Sequence, residues 1–276
     1  MAQVFGVRLG RCLVTLGGLT VAGLLPTLAT AADQAPVAFP DLAKRPLPTG
    51  PAGAAIRLGR DLVTDTGRWA EGYVGNRLSC GSCHLHAGCQ PGAMPLVGMT
   101  AVYPMYRSRR AKIDTLEDRI NDCFTRSLDG RPLPLQSREM RGLIAYMTWL
   151  SAGIPPGKRV LGSGVTLLAG TRPADIGRGQ HGFQSTCAAC HGSDGLGTPA
   201  APPLWGDRSF TIGAGMARLR TAAGFIQANM PRGQGGSLSE DDAVDIAAYV
   251  LSHDRPDFPD KTQDWPQGGK PPDCPY

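Results

Sequence analysis

Two copies of Cys-x-x-Cys-His, CGSCH at Cys80–His84 and CAACH at Cys187–His191, limit what this chain can fold into more than any other feature. In this signature two thiols add to the vinyl groups of a porphyrin and the histidine becomes the proximal iron ligand. The i, i+3, i+4 spacing sets all three groups on one side of a helical turn. One copy arises by chance or binds zinc; two copies in one chain argue against that reading. Cys80, Cys83, Cys187 and Cys190 are therefore read as thioether anchors for two covalent haems c, with His84 and His191 as iron ligands.

The two motifs sit in an internal repeat. A short amphipathic segment precedes each one, AAIRLGRDLV in the first half and ADIGRGQHGFQS in the second. A stronger helical pattern follows each one later, SREMRGLIAYMTWLS and SEDDAVDIAAYVLSH, whose LIAYM and DIAAYV look like one packing face used twice. Ser137 reads as an N-cap, and Ser239 with Asp242 as a capping box with a shortened acid. Helix, haem-binding loop, helix is the plan of a cytochrome c domain. The chain is expected to be mainly α, with tandem domains at 32–153 and 174–253, a Gly/Pro-rich linker at 154–173 and a Pro-rich tail at 254–276.

Residues 1–31 stand apart from both domains. Arg8 and Arg11 lead into an apolar run from Cys12 to Leu28, followed by Ala29-Thr30-Ala31, which reads as a signal peptide cleaved near Ala31. A membrane anchor is the alternative, weakened by Gly17, Gly18, Gly23 and Pro26 inside the run. No later stretch is apolar enough to span a bilayer, so the mature protein is expected to be periplasmic. Losing two arginines lowers the formal charge from +5 to +3, and no Lys/Arg run points to nucleic acid.

The sixth ligand of each iron follows from counting. Met230, in NMPRG, lies 39 residues after His191, and a methionine in a proline-flanked loop suits an electron-carrying haem; Met216 competes with it. The same 39 residues onward from His84 reach Cys123, with Met94, Met99 and Met105 as alternatives. Around it, TLEDRINDCFTRSL puts Leu116, Ile120 and Phe124 on one helical stripe, Cys123 facing inward beside Ile120. If Cys123 binds iron, Cys89 and Cys274 are left as candidates for a disulfide; if Cys89 pairs with Cys123, Cys274 stays free. A thiolate ligand lowers the iron potential and suits sulfur chemistry better than simple electron transfer. Arg119 and Arg126 share the helical side of Cys123, Ser127 is four residues on, and Arg107, Arg109 and Arg110 precede the helix. Guanidinium forks suit small oxyanions such as thiosulfate, though surface or haem-propionate roles are the alternative for each arginine.

YVGNRLSCGSCHLHAG, TLEDRINDCFTRS, LPLQSREMRGLIAYMTWLS, APPLWGDRSF, ANMPRG and DIAAYVLSHDRPDFP resemble the dihaem thiosulfate dehydrogenases over roughly residues 55–260. The resemblance implies His84/Cys123 ligation of the first haem with Cys123 essential to catalysis, and His191/Met230 ligation of the second. It also implies oxidative coupling of two thiosulfates to tetrathionate, with electrons leaving through the second haem to an exported cytochrome. Arg119 is expected to be catalytic, with Arg126 and Ser127 as substrate contacts. Three other roles compete: tetrathionate reduction at the same site, a non-enzymatic dihaem carrier, and a subunit of a thiosulfate-oxidising complex. Some family members exchange the methionine ligand for an adjacent lysine; here that neighbour is Asn229, and residues 175–253 contain no lysine.

Overall fold

The first half opens with α1 (Gly50–Thr64) and a short α2 (Thr66–Trp69), then passes through the CGSCH turn. Two short helices follow, α3 (Leu85–Gly88) and α4 (Met99–Val102), and an antiparallel hairpin of β1 (Met105–Arg107) and β2 (Lys112–Asp114). It ends on α5 (Leu116–Arg126) and α6 (Arg138–Ser151). The second half comprises α7 (Ile176–Thr186), α8 (Ala188–His191), α9 (Leu219–Asn229) and α10 (Glu240–Leu251). This computed structural model describes residues 35–276, so the expected signal peptide lies outside the described residues.

Local chemistry sets the helix ends. Ser137 Oγ accepts the Met140 N–H at 3.1 Å, and Ser239 Oγ accepts the Asp242 N–H at 3.1 Å. The Ser239 hydroxyl donates in turn to the Asp242 carboxylate at 2.6 Å. A full reciprocal box caps α5, where Thr115 and Asp118 each accept the other's backbone N–H.

The repeat reappears as two close helix crossings. A Cβ on Gly59 of α1 would stand 2.0 Å from the Gly142 carbonyl oxygen of α6, and one on Gly179 of α7 would stand 2.0 Å from that of Asp245 on α10. Only glycine lets these backbones touch. Tyr146 and Tyr249, buried one turn beyond each crossing, belong to the LIAYM and DIAAYV faces. The first core gathers Leu62, Phe124, Leu143 and Leu150. In the second, Phe183 and Trp205 meet with ring centroids 5.1 Å apart.

Neither irregular segment hangs free. The 154–173 stretch lies first along the first half, where the Leu161 N–H donates to Val37 at 2.8 Å and Gly162 and Gly164 accept from Gly92 and Met94 at 2.7 and 2.9 Å. It then lies on the second, where Leu168 donates to Arg220 at 3.1 Å and Thr171 to Asp241 at 2.7 Å. The proline-rich tail returns to α5, burying Phe258, Trp265 and the side chain of Asp264. Residues 35–276 form one compact unit. Among the described residues no helix is long and apolar enough to cross a membrane.

Candidate functional site

The first half encloses a cleft of about 1100 Å³, partly open to solvent, whose walls include Cys80, His84, Arg119 and Cys123. His84 is oriented from behind, its Nδ1 2.5 Å from the Met94 carbonyl oxygen. A carbonyl accepts only, so Nδ1 carries the proton and Nε2 is left as the coordinating nitrogen. Buried Thr66 accepts the Cys80 N–H at 3.0 Å and donates to the Leu62 carbonyl at 2.7 Å, fixing the start of the CGSCH turn. Burial pushes the Cys80 and Cys83 thiols up, to about 11 and about 12.

Cys123 behaves differently from those two thiols. Burial disfavours its ionisation too, but the Arg119 charge and a hydrogen bond with His84 outweigh it and bring the thiol down to about 7. Arg119 Nη1 donates to Cys123 Sγ at 2.8 Å. The cleft therefore joins the His84 imidazole of the CGSCH turn to a readily formed thiolate and a guanidinium on one face of α5.

The second cleft, about 1270 Å³, is lined by Cys187, Cys190, His191, Met230 and Met216. His191 Nδ1 faces the Pro202 carbonyl oxygen at 2.8 Å, so this imidazole also presents Nε2. Burial lowers its basicity and keeps it neutral, as a ligand must be, against the opposing pull of that carbonyl. In the second cleft Cys187, Cys190 and an oriented His191 fit the donor set of a haem c; the first is lined by Cys80 and an oriented His84, while Cys83 lines the second.

The two clefts share a wall. Leu78, Gly81, Cys83 and Leu85, in and beside the CGSCH turn, line the second cleft. Next to it, the loop that orients His84 also reaches Met230. Gln90 Nε2 donates to Asn229 Oδ1 at 2.7 Å, and Asn229 Nδ2 donates to the Gly92 carbonyl at 3.2 Å. Leu85 and Ala93 pack with Phe225, against Met216 and Met230.

The expected residues are placed unevenly. Cys123 and Arg119 come together, with Met94, Met99 and Met105 on the same cleft. Arg126 and Ser127, expected beside substrate, do not line it. Arg126 donates to Asp122 at 2.7 Å and to both oxygens of Asp264 at 2.7 and 2.8 Å, leaving no fork for an oxyanion. Ser127 caps the C-terminus of α5, its N–H bonded to the Cys123 carbonyl at 2.9 Å. Cys89 and Cys274 are not joined; both thiols are free, and Cys89 lies 3.7 Å from the Tyr146 hydroxyl. Arg159, which also lines the first cleft, and Thr66 are absent from the sequence reading. Arg159 carries no motif, and Thr66 lies 14 residues from the cysteine it orients.

Two family models match the chain: a SoxA/TsdA cytochrome c domain over residues 66–155, and a cytochrome C oxidase cbb3-type subunit III model over residues 174–250. A thiosulfate dehydrogenase of Allochromatium vinosum is 45% identical over 228 residues, covering 79% of this chain and 84% of the relative. The chain belongs to the thiosulfate dehydrogenase family. A thiosulfate dehydrogenase of Psychrobacter arcticus is 41% identical over 250 residues, 88% of this chain and 76% of the relative. The solved thiosulfate dehydrogenase TsdBA of Marichromatium purpuratum superposes with a TM-score of 0.74 at 36% identity, covering 83% of this chain. This chain spans about half (51%) of that one. The thiosulfate dehydrogenase matches and the helical crossings agree on the expected fold, two tandem cytochrome c domains.

Proposed function

We propose that this chain is a periplasmic dihaem cytochrome c that oxidises two thiosulfates to tetrathionate and passes the electrons to an exported cytochrome. The observation that carries this reading is the 2.8 Å contact from Arg119 Nη1 to Cys123 Sγ inside the cleft that His84 enters. His84 and Cys123 would ligate the first iron, His191 and Met230 the second. Bound haems would supply two one-electron acceptors, the thiolate-ligated one at the lower potential.

The chain's own residues account for the sulfur chemistry. Arg119 keeps the Cys123 sulfur ionised and offers N–H groups to sulfonate oxygens. The Cys123 thiolate bonds to the outer sulfur of one thiosulfate as two electrons leave, giving cysteine-S–S–SO₃⁻ with no proton transferred. The outer sulfur of a second thiosulfate then attacks the sulfur bearing the sulfonate, which forms tetrathionate and releases the thiolate. Two dianions become one dianion and two electrons, and the reverse sequence reduces tetrathionate.

The test compares wild type with Cys123→Met, both carrying two haems, for thiosulfate-dependent ferricyanide reduction and tetrathionate formation. Turnover by wild type alone is the expected result. Equal activity would rule out Cys123 as the reacting group, and inactivity of both would favour a carrier or a subunit of a larger thiosulfate-oxidising complex.

A further inference from the structure

Six arginines surround the first cleft, and they divide cleanly by charge partner. Arg109 is held by Asp264 at 2.9 Å, and Arg110 stands 3.7 Å from Asp114. Arg126 is held by Asp122 and Asp264, each at 2.7 Å. None of these three lines the cleft. Arg107, Arg119 and Arg159 do line it, and among the described residues none of the three has a carboxylate within ion-pair distance. They come from three elements: β1, α5 and the segment joining the halves. Arg119 is already committed to Cys123. Among the described residues, Arg107 Nη1 donates only to the Tyr103 hydroxyl, at 3.1 Å, and the fork of exposed Arg159 meets no acceptor. Tyr103 also lies within the fields of Arg119 and Cys123, while burial keeps its phenol protonated against both arginines.

Uncompensated guanidinia gathered on one concavity are an arrangement that an anion stabilises, and a guanidinium fork matches two oxygens of one acid group. The reaction proposed above needs two such groups in the cleft at once. One belongs to the sulfur bonded to Cys123, within reach of Arg119. The other belongs to the incoming thiosulfate, and afterwards to the far end of tetrathionate, which carries one charge at each end.

We infer that Arg107 and Arg159, with Tyr103, form a second oxyanion subsite in this cleft that holds the sulfonate of the second thiosulfate. The inference rests on the proposed function and adds the place where the second substrate binds. A carboxylate of a haem propionate offers the same paired oxygens, so the experiment must separate the two sources.

The experiment uses holoenzyme with haem content verified, in Arg159→Gln, Arg107→Gln and Arg159→Lys forms. Initial rates are measured against thiosulfate and, in the reverse direction, against tetrathionate, alongside reduction potentials of both haems. Each Gln variant should raise KM for both anions about tenfold, the cost of one charge-assisted contact, with kcat within about threefold and both potentials unmoved. Arg159→Lys should restore most of the affinity, since it keeps the charge on an exposed side chain. Unchanged KM with a shifted first-haem potential would assign the arginines to propionates and overturn the subsite. Unchanged KM and potentials would make them solvated surface and overturn it equally. Either outcome with active wild type defeats the subsite alone; an inactive wild type defeats the proposed function itself.

Discussion

Asp264 receives both terminal nitrogens of Arg126, at 2.7 and 2.8 Å, from 138 residues further along the chain. The two side chains are 2% and 7% exposed, so this is a buried pair. Arg109 and the Tyr276 hydroxyl also donate to Asp264, the former at 2.9 Å. Breaking a buried pair leaves an uncompensated charge, which typically costs about 3–5 kcal/mol. Asp264→Asn should therefore lower unfolding free energy by about 3 kcal/mol in denaturant titration of the holoprotein. Asp260→Asn on the same tail, where only Gln263 donates at 3.3 Å, should stay within about 0.5 kcal/mol.

Acid should loosen the second half through Asp245. Hydrogen bonds from Arg172, and then from Arg178 and the Asp175 N–H, hold its carboxyl well below the usual range despite burial. A carboxylate depressed in the folded state stabilises fully above its unfolded value of about 4, and that stability drains away as pH falls below it. Asp245→Asn should cost about 2 kcal/mol at pH 7 and flatten the decline in stability between about pH 4 and pH 2. Circular dichroism across a pH series reads both effects. An unchanged slope would remove Asp245 from the acid response.

The Gln90–Asn229 contact should tune the second cleft from outside it. Asn229 is 3% exposed and also donates to Phe225 at 3.1 Å at the end of α9, immediately before Met230. Asn229→Leu strands the Gln90 side chain and the Gly92 carbonyl, at about 1–3 kcal/mol. With Met230 as the proposed ligand of the second haem, the expected readout is a weakened methionine–iron absorption band and a lowered potential for that haem, by spectroelectrochemistry. Gln90→Leu should move both in the same direction by less, because the Gly92 bond survives.

Gly179→Ala should damage the second domain, since the added carbon would sit 2.0 Å from the Asp245 carbonyl oxygen and 2.9 Å from Tyr249 Cβ. Backbone must shift to admit it, and overpacking of this kind costs about 1–3 kcal/mol or more. Gly67→Ala, where nothing lies within 4 Å of the added carbon, is the matched control. Holoprotein yield and melting temperature should fall for the first substitution and hold for the second.

What the sequence made legible was local. The Cys-x-x-Cys-His spacing, the Leu116–Ile120–Phe124 stripe and the Ser137 cap each involve residues within a few positions, and their physics is the same in any helix. Cys123 was reachable because a repeat allowed counting from one half to the other. Arg126 shows the limit of local pattern: helical spacing sets it beside Cys123, while its partner Asp264 lies 138 residues away in a segment without periodicity. Arg159 is placed by the path of irregular backbone, through contacts such as Val37 with Arg159 at 2.8 Å, and Thr66 meets Cys80 only because the chain between them folds back over 14 residues. Residue pattern does not encode those paths, so the cleft's charge balance became visible only in three dimensions.

The return of the tail to α5 has a genetic reading. A ribosome makes Arg109 and Arg126 long before Asp264, so the first domain reaches its final electrostatic balance only once Asp264, 138 residues after Arg126, has been added. A premature stop codon shortly before Asp264 would spare both Cys-x-x-Cys-His motifs, Cys123, Met230 and every α-helix named above. It would nonetheless behave as a lesion of the helix that carries Cys123, more than a hundred codons upstream.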